Sequence, residues 1–352
     1  MKTLLLKVNP RKPEKAKVQV AAEFIKKGGL VAFPTETVYG LGADALNTKA
    51  ILALFEAKKR PLDNPPIVHV ENLRDVYKLA AQVPAQAERL MEKFWPGPLT
   101  LVFKHSKAVP EVTVAGLDTI AVRMPKHEVA LALIRESGCP IAAPSANLAG
   151  KPSPTTAQHV IDDLKGRIDA VLDAGPTQVG VESTVLDVTV SPPIMLRPGG
   201  TSVETLREAI GDVKLHPFVA AEKELAVQET RSPGMRHKHY APNAELILVE
   251  GSLEAVVEKV KELADSSRLK GRRVGVLATD ETKGKYRANV VKSLGSRFNL
   301  ETIAQNLFAL LREFDAEDVD VIIAEGVHAE GLGLAVMNRL HKASGYNIVK
   351  VE

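Results

Sequence analysis

Apolar residues recur along this chain with two periods. Over residues 17–28 (KVQVAAEFIKKG), 49–59 (KAILALFEAKK), 73–82 (LRDVYKLAAQ), 84–94 (PAQAERLMEKF), 128–137 (EVALALIRES) and 202–211 (SVETLREAIG) they return every three or four positions, which predicts amphipathic helices. Between these lie short apolar runs, GLVAF, PPIVHV, PLTLVF, TIAVRMP, PIAAP, AVLDAG, STVLDVT and PIMLRPG, bounded by Pro, Gly and Asp as strand ends usually are. Residues 1–210 therefore read as one large mixed α/β domain. The pattern fails over 211–243, a stretch with three prolines and a basic end, RHKHY, which reads as a linker. It resumes over 244–352, where AELILVE, EAVVEKVKELA, RRVGVLAT, NLETIAQNLFALLREF, DVDVIIAEG and GLAVMNRLHKAS alternate strand and helix, predicting a small Rossmann-like parallel α/β domain.

Composition narrows the class. With 45% hydrophobic and 25% charged residues among 352, the chain can bury two cores and is not a disordered polymer. No apolar run reaches bilayer length, and the N-terminal TLLL is too short for a secretory core, so a cytoplasmic protein with no membrane partner is expected. The single Cys139 excludes an internal disulfide and a multi-cysteine zinc site, and its setting before a proline reads as a small buried residue. A net charge of +3 permits an anionic ligand without arguing for duplex binding.

The candidate chemistry sits at predicted strand ends. FPTETVYGLGADA, residues 33–45, follows an apolar strand with threonines, a glutamate and glycines; it reads either as a pocket rim or as a plain turn. Lys58, Lys59 and Arg60 close a predicted helix, as a solvated face complementing the helix dipole would, and His69 lies within an apolar strand where a core histidine is equally consistent. Arg123 in TIAVRMP is a sharper signal, because a lone charge in an apolar strand must pair or face a cavity. Ser145, Asn147, Lys151 and Ser153, then Ser183 with Thr184, and Arg197 complete a set suited to a phosphate or a carboxylate. Phosphate-loop, zincin, nucleophile-elbow and dinucleotide fingerprints are missing. Gly326, Gly331 and Gly333 read as a helix-entry turn.

Taken in order, the opening stretch, KKRP, PSAN, ESTV and LRPG resemble the YrdC-like family, and the appended domain resembles its longer members, the threonylcarbamoyl-AMP synthases. The resemblance covers the whole chain and implies a YrdC-like mixed twisted sheet over 1–210, a linker over 211–243 and a Rossmann-like domain over 244–352. It implies the synthesis of threonylcarbamoyl-AMP and pyrophosphate from L-threonine, bicarbonate or CO2, and ATP with Mg2+. The product would pass to a downstream threonylcarbamoyl transferase complex that modifies tRNA. By the same resemblance the threonine site falls on Thr37 with Thr35 nearby, His69, Arg123, the backbone at Ala143, and Ser183. The ATP site falls on Lys58, Arg60, Asn64, Thr119, Ser145, Asn147, Ser153 and Arg197, with Lys58 and Arg60 also easing phosphoryl transfer. The linker is expected to fold back as a lid whose Arg236, Lys238 or Tyr240 contacts the nucleotide. The alternative is a non-catalytic RNA-binding protein using a basic concave surface, with weak RNA contact; at 4% aromatic residues, recognition by base stacking is not expected. YrdC-like domains also occur in hydrogenase-maturation carbamoyltransferases, but those carry zinc fingers that one cysteine cannot build.

Overall fold

The computed structural model describes residues 2–220 and 240–352. Helix-period residues close onto sheets on one stripe each. In α1 (Lys15–Lys26) the buried positions are Val18, Ala21, Ala22 and Ile25, the spacing of a single helical face. The other helices of the first unit are α2 (Thr48–Lys58), α3 (Leu73–Leu79), α4 (Ala85–Phe94), α5 (Glu128–Ser137), α6 (Ala157–Leu164), α7 (Val203–Ile210) and the short α8 (Pro217–Ala220). Its strands are β1 (Leu4–Lys7), β2 (Val31–Pro34), β3 (Tyr39–Asp44), β4 (Val68–His69), β5 (Leu99–Lys104), β6 (Thr119–Arg123), β7 (Ile141–Ala142), β8 (Ala170–Asp173), β9 (Thr184–Asp187), β10 (Ile194–Arg197) and β11 (Lys214–Leu215). They form one mixed sheet in the order β1-β8-β2-β3-β7-β4-β6-β5-β9-β10-β11. Both faces are covered. Along β2, Val31 and Phe33 pack with α1 and α5 while Ala32 packs into the larger core on the opposite side, as the alternation of a strand requires.

The second unit carries β12 (Glu245–Glu250), α9 (Leu253–Leu269), β13 (Val274–Ala278), β14 (Val290–Ser293), α10 (Leu300–Ala316), β15 (Val321–Glu325), α11 (Leu332–Ala343) and β16 (Ile348–Lys350). Its strands are all parallel, in the order β14-β13-β15-β12-β16. Among the described residues, 2–149 with 153–220 make up the first unit and 150–152 with 240–352 the second. Gly331 caps α11 with φ 55°, so this glycine does serve a helix entry.

The mixed sheet with its parallel companion is the architecture expected. Several elements are not. The stretch after Pro34 is not a loop throughout: Thr35–Val38 turns the chain, and Tyr39–Asp44 returns as β3, paired antiparallel with β2. Gly40 and Gly42 mask this strand from propensity, since glycine weakens strands. At Gly42 a Cβ would lie 2.8 Å from both Ile141 Cγ2 and Phe33 Cε1, so the packing of the sheet faces demands the glycine.

Candidate functional site

Arg123 closes β6, and His69, its register partner across the parallel pair, closes β4. The turn at residues 35–38 brings a third group to the same strand ends. Thr35 Oγ1 donates to the Val38 carbonyl at 2.7 Å and accepts the backbone N–H groups of Thr37 and Val38, so it is spent on holding the turn. Thr37 Oγ1, 2.8 Å from Thr35 Oγ1, also meets Arg123 Nη1 at 3.0 Å, while Arg123 Nε donates to the Gly97 carbonyl at 3.1 Å. Between the two threonines, Glu36 Oε2 lies 2.6 Å from Arg123 Nη2, and both side chains are only 4% exposed. The contact is off-axis: neither Nη2 nor either Glu36 carboxylate oxygen has an aligned hydrogen-bond partner among the described residues. His69 is buried edge-on against the Phe33 ring, with its Nδ1 also unpartnered. Burial first, and the Arg123 charge second, hold its imidazole down to about 3, so it is neutral at ordinary pH.

A second group of polar residues comes from the loops. Lys58, the last residue of α2, is buried and donates to the carbonyls of Ser145 and Asn147. The solvated helix end expected for this lysine is thus corrected: the PSAN loop folds over it, pinned in turn by hydrogen bonds between Tyr39 and Ala146 and between Leu41 and Pro144. Arg60 Nε donates to the Asn64 carbonyl at 2.8 Å. Ser183 Oγ lies 2.8 Å from Thr100 Oγ1, and Arg197 donates to the Ser183 carbonyl from both Nε (3.1 Å) and Nη2 (2.9 Å). Gly199 makes that approach possible, because a Cβ there would lie 2.3 Å from backbone atoms of Glu182, Ser183 and Thr184. Backbone bonds from Gln178 and Val179 to the Glu36 carbonyl, and from Gly180 to that of Thr37, tie this segment to the Arg123 turn.

Two family models match the chain, one described as telomere recombination over residues 23–199 and one described as the threonylcarbamoyl-AMP synthase C-terminal domain over 201–345. A threonylcarbamoyl-AMP synthase of Pyrococcus abyssi is 52% identical over 349 residues, 99% of this chain and 100% of that protein. The chain belongs to the threonylcarbamoyl-AMP synthase family. A Bacillus subtilis member is 50% identical across 94% of this chain and 93% of its own. The solved structure of P. abyssi Sua5 complexed with L-threonine superposes with a TM-score of 0.93 at 51% identity, covering 99% of this chain and 100% of that one.

Within this family frame the expected residues fall unevenly. Thr37, His69, Arg123 and Ser183 converge on neighbouring strand ends, and the Ala143 N–H is bound to the Ile67 carbonyl beside them. Ser153 Oγ donates to Glu182 Oε1 at 2.6 Å. Thr119 begins β6, about 13 Å along the strand from Arg123 at the usual rise per residue. Tyr240 belongs to the second unit, where its ring packs on Phe308 at 5.1 Å with the Arg339 guanidinium 5.9 Å above it. Arg236 and Lys238 lie outside the described residues. Cys139 is half-buried, and burial pushes its thiol up to about 12, an unreactive group. Glu36, Thr100 and Glu182 are partners that motif reading passed over; a carboxylate inside an otherwise apolar or hydroxyl-bearing run, in PTETV and GVEST, was the available signal. Among the described residues no cluster of three metal-ligating side chains occurs, and no helix is long and apolar enough to cross a membrane.

Proposed function

We propose that this chain is an L-threonylcarbamoyladenylate synthase, acting in the cytoplasm on L-threonine, bicarbonate or CO2, and ATP. It would supply threonylcarbamoyl-AMP to a transferase complex that modifies tRNA reading ANN codons. The observation that carries this reading is the buried Arg123, braced by Gly97 and Thr37 beside a neutral His69, with the Arg197–Ser183 cluster tied to the same turn. Arg123 supplies a guanidinium edge for the threonine carboxylate. Thr37, rather than the spent Thr35, faces it, and an uncharged His69 can bond the threonine side chain without adding a second cation.

For the nucleotide, Lys58, Arg60 and Arg197 stand with Asn64, Ser145, Asn147 and Ser153 as the polar lining; Thr119, Arg236 and Tyr240 rest on the resemblance alone. Mg2+ would arrive as part of the substrate, held by phosphate oxygens and water. The threonine amine attacks CO2 to form a carbamate, and a carbamate oxygen displaces pyrophosphate from the α-phosphorus. No protein nucleophile is required, so catalysis is positioning and charge stabilisation. Kinship with enzymes named for an adenylate product does not favour the RNA-binding alternative. The deciding experiment incubates the pure protein with labelled threonine, bicarbonate and ATP: pyrophosphate should appear only when all three are present. Cleavage at the γ-phosphate, or equal turnover without threonine, would overturn the reading.

A further inference from the structure

Glu36 is the buried ionisable group that the proposed reaction leaves unused. Its backbone cannot drift, because its carbonyl accepts N–H groups of Gln178 (3.2 Å) and Val179 (2.8 Å) while Thr35 staples the turn from within. Its carboxylate is out of water, touches Arg123, and has no hydrogen-bond donor aligned on either oxygen. A carboxylate in that position is costly unless a cation and donors satisfy it. Arg123 meets half of the need. Its Nε–H and one N–H of Nη1 are committed to Gly97 and Thr37, so the edge left for a ligand runs from the second N–H of Nη1 to Nη2, and Nη2 is the atom Glu36 touches.

A ligand carboxylate that takes Nη2 must therefore share or displace the counter-ion of Glu36. With a simple carboxylic acid the pocket would hold two anions against one cation. His127 does not restore the balance, since burial lowers its pKa and keeps it neutral despite the pull of Glu36. An α-amino acid does restore it: its ammonium sits one carbon from its carboxylate and brings one positive charge with three N–H donors to the place where donors are missing. We propose that Glu36 and Arg123 together read the head group of an α-amino acid, the guanidinium taking its carboxylate and Glu36 its ammonium, so that Glu36 determines specificity for the zwitterion. This rests on the threonine-using function proposed above.

Calorimetry with L-threonine and its des-amino analogue 3-hydroxybutanoate tests it. The wild-type protein should bind threonine at least tenfold more tightly than the analogue. In Glu36→Gln the threonine affinity should fall at least tenfold while the analogue binds unchanged or better, so that the preference collapses. A wild-type protein that binds both equally overturns the proposal with no variant needed. An unchanged preference in Glu36→Gln overturns it as well, including the case where both ligands weaken together, which would make Glu36 only a brace for Arg123. Should melting show that Glu36→Gln does not fold, Glu36→Asp keeps the charge but withdraws it by one methylene, and must weaken threonine more than the analogue. A wild-type protein that binds no threonine at all defeats the proposed function itself, an outcome distinct from losing Glu36 alone.

Discussion

Each unit of the molecule pairs a buried glutamate with an arginine at the carboxyl end of its strands, and the two pairs are finished differently. In the second unit Glu325, the last residue of β15, is fully buried and receives hydrogen bonds from Arg297 Nη2 (2.8 Å), Thr279 Oγ1 (3.0 Å) and the Tyr286 hydroxyl. Arg297 Nε donates to Thr279 in turn, and burial, reinforced by Glu325, pushes the Tyr286 hydroxyl well above its ordinary value. This cluster stands between β13 and β15, where the onward connections diverge toward opposite edges of the sheet, a place where open α/β sheets often bind ligands. Yet its carboxylate is satisfied from within. In the first unit the Arg123–Glu36 pair has the same chemistry at 2.6 Å, but three of its polar atoms lack an aligned partner. Location at a strand end is shared by both pairs; among the described residues, unused hydrogen-bonding capacity distinguishes the first, the pair to which the proposed function assigns the threonine carboxylate.

Substitutions should separate the pairs by what they change. Arg123→Ala should have the largest effect, a loss of about 2–5 kcal/mol in threonine binding, the usual cost of removing an arginine that meets a substrate charge. Intact threonine binding in calorimetry would mean that Arg123, like Arg297, serves only its own glutamate. Glu325→Gln keeps the volume but weakens charge-assisted bonds, and should lower unfolding stability by about 1.5–3 kcal/mol in denaturant titration while leaving threonine affinity alone. An altered threonine affinity there would mean that the second pair is also functional.

The third effect is read against pH and concerns His69. Its imidazole takes a proton near 6.5 when unfolded but only near 3 when folded, so between those values the unfolded state holds the extra proton. Stability from this group is complete above pH 6.5 and falls as pH drops, with a slope of about 1.4 kcal/mol per pH unit inside the window. His69→Gln should flatten that slope in melts from pH 4 to 6; an unchanged slope would mean that His69 is not the buried neutral neighbour of Arg123.

Local sequence determined a good deal about this protein. The helical stripe of α1, and the longer one of α10 at Ile303, Ala304, Leu307, Phe308, Leu311 and Phe314, is written in residue spacing, since one face of each helix must leave water. The parallel second unit and the anomaly of an arginine in an apolar strand are equally local facts. Tertiary structure decided the rest, because the partners involved are remote in sequence. β1 has largely exposed side chains and exists by pairing with β8, Leu4 opposite Ala170. β3 carries glycines that local propensity counts against a strand, but that the packing of Phe33 and Ile141 demands. Lys58 reads as a solvated helix end until a loop nearly ninety residues later, bearing the Ser145 and Asn147 carbonyls, buries it. The meeting of Glu36 with Arg123 is of the same kind: each residue alone is an unexplained charge, and only the fold sets them 2.6 Å apart, where the cost of burying one is offset by the other.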